Sequence, residues 1–338
     1  MGRDAWQAEN KRMSGQLTLS IVSDIHYAGP MEQRRGPVFV NTISHPVRRL
    51  AVKLYRHYLW QRDAFAHNHL LDQFLEQANS SNHVIANGDY SCDSAFIGVS
   101  DPASFESAAE CMQKLRQRFP GTFSATFGDH ELGKKPLGED VGGLRIASYH
   151  QAIQGLGLQP FWYLTLGNYV LFGVVSTLLA LPVFTPEMLP EEQTAWEELR
   201  ARHLEEIRRA FTELKPRQRV LLFCHDPTAL PFLGREEAVR NKLSQVERTI
   251  IGHLHSRLIL FKSRMLAGIP VISFLGHTPK RLSSALREAR QWKPFKVLLC
   301  PSLSGIELLK DGGFYTATID PTAQRPATFK FHSLRGKR

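Results

Sequence analysis

Residues Leu17-Thr-Leu-Ser-Ile-Val22-Ser-Asp24-Ile-His26 set the pattern of the whole chain: an apolar, β-branched-rich run that stops at two polar side chains. The pattern recurs four times. His83–Ala86 leads to Gly88-Asp89, Thr122–Phe127 to Gly128-Asp129-His130-Glu131, Arg219–Cys224 to His225-Asp226-Pro227, and Arg248–Ile251 to Gly252-His253-Leu254-His255. A continuous apolar run of this length is what a strand covered on both faces looks like. Five polar clusters therefore sit at the ends of buried strands, where an α/β sheet binds its ligands, and segments more than two hundred residues apart can converge on one crevice.

Spacing within the clusters sharpens this reading. In an extended chain residues i and i+2 point to the same side, so Asp24 with His26, and His253 with His255, can each aim two donors into one site. Glycines 88, 128 and 252 let the backbone turn off a strand and come close to an ion. Carboxylate oxygens and imidazole nitrogens with no cysteine suit Zn, Mn, Fe, Co or Ni; Ca and Mg favour all-oxygen sites.

The five segments, in this order and across roughly residues 17–260, resemble the motifs D-x-H, G-D, G-N-H-E, H and G-H-x-H of the calcineurin-like metallophosphoesterases. The resemblance implies two divalent transition-metal ions. Asp24, His26, Asp89 and His255 would hold one, Asp89 would bridge, and Asp129, His225 and His253 would complete the other. It implies that His130 stabilises or protonates the leaving oxygen, while a metal-bridging hydroxide attacks phosphorus in line. It also implies a four-layer α/β/β/α sandwich, two mixed sheets flanked by helices.

Two positions depart from the family pattern. Asp129 stands where the family has asparagine, so three carboxylates face two ions and leave a net charge of about +1 rather than about +2. Such a site should hold metal more tightly and attract phosphate less, unless Lys134 and Lys135 compensate. The acid of G-D-x-x-D is replaced by Cys92, with Asp93 one place later as the residue left to orient the catalytic histidine. The arginine that follows this motif in Ser/Thr protein phosphatases is missing, which argues against a phosphoprotein substrate.

The chain of 338 residues, 43% hydrophobic and without repeats or low-complexity linkers, suits one domain over 1–338. Within it, a basic helical insertion is expected near 31–76 and a strand/helix extension near 262–330. Cysteines 92, 111, 224 and 300 lack metal or disulfide spacing and read as reduced thiols, and the charged first residues are no signal peptide; the expected location is cytoplasmic. Leu164–Phe184 is apolar enough to suggest a membrane span, but Gly167-Asn168 divides it into two strands, Phe161–Leu166 and Tyr169–Ser176. Further strands are expected at Val271–Phe274, Lys296–Leu299 and Phe314–Ile319. A long helix over Pro190–Leu214 carries acids early and bases late, as its dipole favours.

The net charge of +10 favours anionic partners of any kind. Basic residues crowd after the first cluster: Arg34, Arg35, Arg48, Arg49, Lys53, Arg56 and Arg62. Val47, Leu50, Ala51, Leu54, Tyr58 and Leu59 recur among them at helical spacing behind Pro46. The ordinary reading is a helix packed on the core with a solvated basic face. The other is a surface helix that meets an anionic membrane and delivers a lipid-linked phosphate.

His67-Asn68-His69 resembles a nuclease fragment by letters only. Residues 133–143, directly after His130, should form a mobile rim over the site. These features favour a metal-dependent hydrolase of a phosphomonoester, phosphodiester or pyrophosphate in a small or lipid-linked substrate. By analogy within the resembled family, a narrower form that the basic amphipathic helix would fit is a UDP-diacylglucosamine-type pyrophosphate hydrolase of lipid A synthesis. The alternatives are a metal-dependent nuclease, which lacks the expected interleaving of aromatic and basic residues, and a binding module without turnover.

Overall fold

The computed structural model describes residues 15–37, 43, 45–92, 96–135, 141–270 and 277–334, with only the backbone described for 277–282. Among these, ten strands form two mixed five-stranded sheets. The first has the order β10-β9-β1-β2-β3 and the second β4-β5-β6-β7-β8. The strands are β1 (Leu17–Val22), β2 (His83–Ala86), β3 (Phe123–Ala125), β4 (Phe161–Leu166), β5 (Tyr169–Val174), β6 (Arg219–Cys224), β7 (Val246–Ile251), β8 (Val297–Leu299), β9 (Gly313–Ile319) and β10 (Thr328–Ser333). β1, β2 and β3 run parallel, as do β5 to β8. Their carboxyl ends therefore gather at one end of each sheet.

The apolar runs are continuous because each strand is covered twice. Leu19, Ile21, Leu171, Leu221 and Phe223 fill the space between the sheets, while Val22, Val170, Phe172, Leu222 and Cys224 turn outward to the helices. Helix α3 (Asn68–Gln77) lies on the first sheet, with Phe74 edge-on to Phe314 of β9 at 5.0 Å. Helix α6 (Gln193–Thr212) lies on the second, with Phe211 5.3 Å from Phe172. Burying each of these phenylalanines contributes about 1.5–3 kcal/mol. The layers run helix, sheet, sheet, helix.

Between β1 and β2 the chain forms α1 (Pro30–Arg35), α2 (Pro46–Tyr55), a π-helical turn over Arg56–Trp60, and then α3. α4 (Pro102–Arg118) follows β2, its amino end capped by the Asp101 carboxylate accepting from the Ala103 and Ser104 amides. α5 (Ile146–Gln154) precedes β4, α7 (Arg257–Met265) follows β7, and α8 is His277–Glu288.

Several sequence expectations are refined. Leu164–Phe184 is no span: β4 and β5 pair antiparallel around Gly167-Asn168, and no helix among the described residues is long and apolar enough to cross a membrane. β9 pairs with β1 in the middle of the first sheet, so the carboxyl-terminal segment completes the core. The strand expected at Val271–Phe274 and residues 136–140 of the rim lie outside the described residues. All four cysteines are buried and none is in a disulfide.

The basic helix differs from its ordinary reading. None of α2 is buried, and Val47 (68%), Leu50 (58%) and Leu54 (49%) are exposed. The side resting on the protein is instead Arg49, Val52, Arg56 and Trp60. Periodicity locates a stripe but carries no information about which way it faces.

Candidate metal centre

Five loops leave parallel strands and meet where the two sheets join. Two adjoining groups result: Asp24, His26, Asp89 and His255, and Asp129, His225 and His253. Within each, one donor atom per residue lies within 4.8 Å of the others. The first sheet supplies all three carboxylates; the second supplies His225, His253 and His255.

Convergence is achieved by turns rather than by extended chain. Asp24, His26, Asp89, His253 and His255 all have φ between +49° and +59°, the left-handed region that residues other than glycine rarely occupy. Five strained residues among seven candidate donors mark a site whose surroundings hold the backbone against its preference. The glycines matter in two ways. Gly88 has φ +93°. Gly128 and Gly252 matter for space: a Cβ would lie 2.2 Å from Asp89 Oδ1 at Gly128, and 2.3 Å from Asp24 Oδ2 at Gly252.

The imidazoles are oriented by main-chain carbonyls. His225 Nδ1 lies 2.6 Å from Asn87 O, His26 Nδ1 3.2 Å and His130 Nδ1 3.1 Å from Ser91 O. With Nδ1–H donated to a carbonyl, Nε2 is the nitrogen aimed inward, and it offers a lone pair whenever the ring is neutral. His225 Nε2 is buried without a hydrogen bond, 3.3 Å from carboxylates of both Asp89 and Asp129. His255 Nε2 lies 3.2 Å from Asp24 Oδ1 and 3.1 Å from His26 Nε2. His253 Nδ1 is 3.2 Å from Asp129 Oδ1. An unpaired buried nitrogen, carboxylates crowded together and glycines that leave no room for a methyl group fit cations as occupants.

The electrostatics agree. Burial raises the Asp24 carboxyl, but His225 and His255 outweigh it and hold the group down at about 2. Burial lowers His225, but Asp89 and Asp24 pull it well above the ordinary imidazole value, so a cation would take its place at Nε2 by displacing a proton. Burial, reinforced by His130 and His255, drives His26 down to about 3, which keeps it a neutral donor. Asp129, raised by burial, is held well below the carboxylate range mainly by Lys134, whose Nζ is 2.8 Å from Oδ2.

Beside the two groups, His130 Nε2 lies 3.7 Å from Asp89 Oδ2, and the His130 amide donates to Asp89 Oδ1 at 3.0 Å. Burial lowers its pKa. Asp93 lies outside the described residues.

Sequence reasoning gave several contributors no role. Glu131 accepts from the amides of Gly128, Asp89 and Tyr90 at 2.7, 3.1 and 2.9 Å, tying two donor loops together. Burial and Asp89 raise it to about 7 against those bonds. Glu32, buried in α1, accepts from Ser107 Oγ and the Cys92 amide. Asp226 Oδ2 is 4.0 Å from His253 Nε2, and the Trp60 ring lies 4.6 Å from that of His255. Glu131 and Asp226 sat inside the quoted motifs; Asn87 and Ser91 act through carbonyls, which no side-chain letter announces.

No family model matches the sequence, and no curated protein matches it. Among solved structures the chain is similar to a purple acid phosphatase from yellow lupin (Lupinus luteus) seeds, at 11% identity over 72% of this chain, with a TM-score of 0.36. It spans only 38% of that chain's length. A metallophosphoesterase from Sphaerobacter thermophilus is similar at 13% identity over 95% of this chain and 90% of its own, with a TM-score of 0.31.

Proposed function

We propose that the protein is a calcineurin-like metallophosphoesterase whose chain folds as one domain and hydrolyses a phosphomonoester, phosphodiester or pyrophosphate bond. The observation that carries this reading is the pair of adjoining Asp/His groups, in which the buried His225 Nε2 has no hydrogen bond. In this reading Asp24, His26, Asp89 and His255 would hold one ion, and Asp129, His225 and His253 would hold the other. Two divalent ions held there supply the Lewis acidity and the nucleophile that hydrolysis needs at neutral pH.

The chain's own residues do the remaining work. Ser91 O fixes the rings of both His26 and His130. In this reading His130 Nε2, which faces the Asp89 side of the site, would pass a proton to the departing oxygen once the ring is protonated at both nitrogens, with Nδ1–H still held by Ser91 O. Lys134 neutralises the carboxylate that replaces the family's asparagine, restoring much of the attraction for a phosphate anion. The substrate is a phosphorylated small molecule or a lipid-linked one. The outward apolar side of α2, whose following turn places Trp60 against His255, supports the lipid-linked form.

The test is hydrolysis of bis-p-nitrophenyl phosphate and p-nitrophenyl phosphate by protein stripped of metal and reconstituted with Mn. Chelator-sensitive turnover is expected, and His130→Ala should lower it by about 10²–10⁴-fold while bound metal is unchanged. Metal without turnover on either ester would leave the non-catalytic binding module as the better reading.

A further inference from the structure

α2 is an amphipathic helix mounted inside out. Its half-buried side carries two arginines, Arg49 and Arg56, with Val52 between them, and ends on Trp60. Its outer side presents Val47, Leu50 and Leu54, continued by Tyr58 at 61% exposure. At helical periodicity Val47, Leu50, Ala51 and Leu54 fall within about 100° of the circumference. Exposed Arg48 and Lys53 stand about 60° beyond its two edges. The apolar surface continues into Leu308 and Leu309, also exposed, where the Glu307 and Leu308 amides donate to Trp60 O and Leu59 O.

We propose that this surface docks on an anionic phospholipid bilayer, with the α2 stripe seated among the acyl chains and Arg48 and Lys53 reaching headgroup phosphates on either side. The proposal deepens the lipid-linked form of the function above and rests on it only for its purpose, since docking requires no turnover. Charge complementarity selects the occupant. From Gln33 to Arg62 the chain has seven Lys and Arg and no Asp or Glu, within a protein of net charge +10. A stripe with cations on both edges matches a negatively charged apolar slab: the stems lie along the hydrocarbon while the charges stay at the interface. A second copy of the chain is a poorer occupant, because a two-fold pairing of this stripe brings like-charged edges together. Because the turn after α2 lays Trp60 on His255, docking would hold the metal centre near the headgroup plane.

The experiment is flotation of the full chain with phosphatidylcholine vesicles, with and without phosphatidylglycerol. The wild type should float only with the anionic vesicles. Leu50→Asp combined with Leu54→Asp should weaken partitioning by about tenfold or more, and Arg48→Glu combined with Lys53→Glu should abolish the preference for phosphatidylglycerol. The Leu50/Leu54 variant should hydrolyse a water-soluble ester like the wild type, which separates lost docking from lost folding. Asp89→Asn should float normally, so failure of the catalytic reading leaves this one testable. Absence of flotation, or flotation undiminished in the Leu50/Leu54 variant, would overturn the proposal. So would a dimer that this variant dissociates without any vesicle binding, which would assign the stripe to a second copy.

Discussion

The two stacked sheets bring different chemistry to the end where their parallel strands finish. Loops after β1, β2 and β3 carry Asp24, Asp89 and Asp129, whereas loops after β6 and β7 contribute His225, His253 and His255. One wall is a concentration of negative charge that would repel itself; the other supplies neutral or cationic partners. Closing the sandwich is thus both a hydrophobic event between the sheets and an electrostatic one at their ends. The site exists only when both walls are in register.

Removing charge from the acidic wall should have the largest effect. Asp89→Asn is expected to lower turnover by about a thousandfold or more and to reduce bound metal. A histidine from the other wall should act more locally: His255→Ala should lower affinity for one ion by about a hundredfold or more and leave the other in place, seen as two separate phases in a calorimetric titration. Equal loss of both ions in the two variants would break the distinction between walls.

Smaller effects probe how the acidic wall is held. Gly128→Ala should destabilise the metal-free protein by about 1–3 kcal/mol, because the new methyl group overlaps the Asp89 carboxylate; thermal unfolding in chelator checks it. Lys134→Met should weaken inhibition by inorganic phosphate by about tenfold, and by much less in the Asp129→Asn background, if its job is to offset the third carboxylate. Equal losses in the two backgrounds would remove that role.

The smallest effect lies away from the metal loops, on β2. Burial lowers His83 to about 4, while its Nε2 lies 2.9 Å from Ser124 Oγ. The unfolded chain therefore takes up this proton first as pH falls. His83 contributes stability that is full above about pH 6.5 and lost as pH falls towards 4, on the order of 1 kcal/mol for a partly exposed ring. His83→Gln should flatten that part of the profile in chelator-treated protein.

What could be read in advance follows from what a letter can report. β1, β2, β6 and β7 were visible because burial on both faces leaves an apolar run, and the polar clusters stood out at their ends. β10 was not: Thr-Phe-Lys-Phe-His-Ser is a half-exposed edge strand whose letters suit several conformations. The left-handed turns at Asp24, His26, Asp89, His253 and His255 were illegible, since only the packed loops impose them; the extended i, i+2 geometry is replaced by turns that aim the same side chains. Nor could the sequence show that Glu131 staples two loops, or that α2 turns its apolar side outward.

The most direct test is the metal stoichiometry of chelator-stripped full chain titrated with Mn and checked by elemental analysis. Two ions per chain, reduced in Asp89→Asn and unchanged in His130→Ala, are predicted. No bound ion, or binding indifferent to Asp89, would contradict the assignment of the sheet junction as a metal centre.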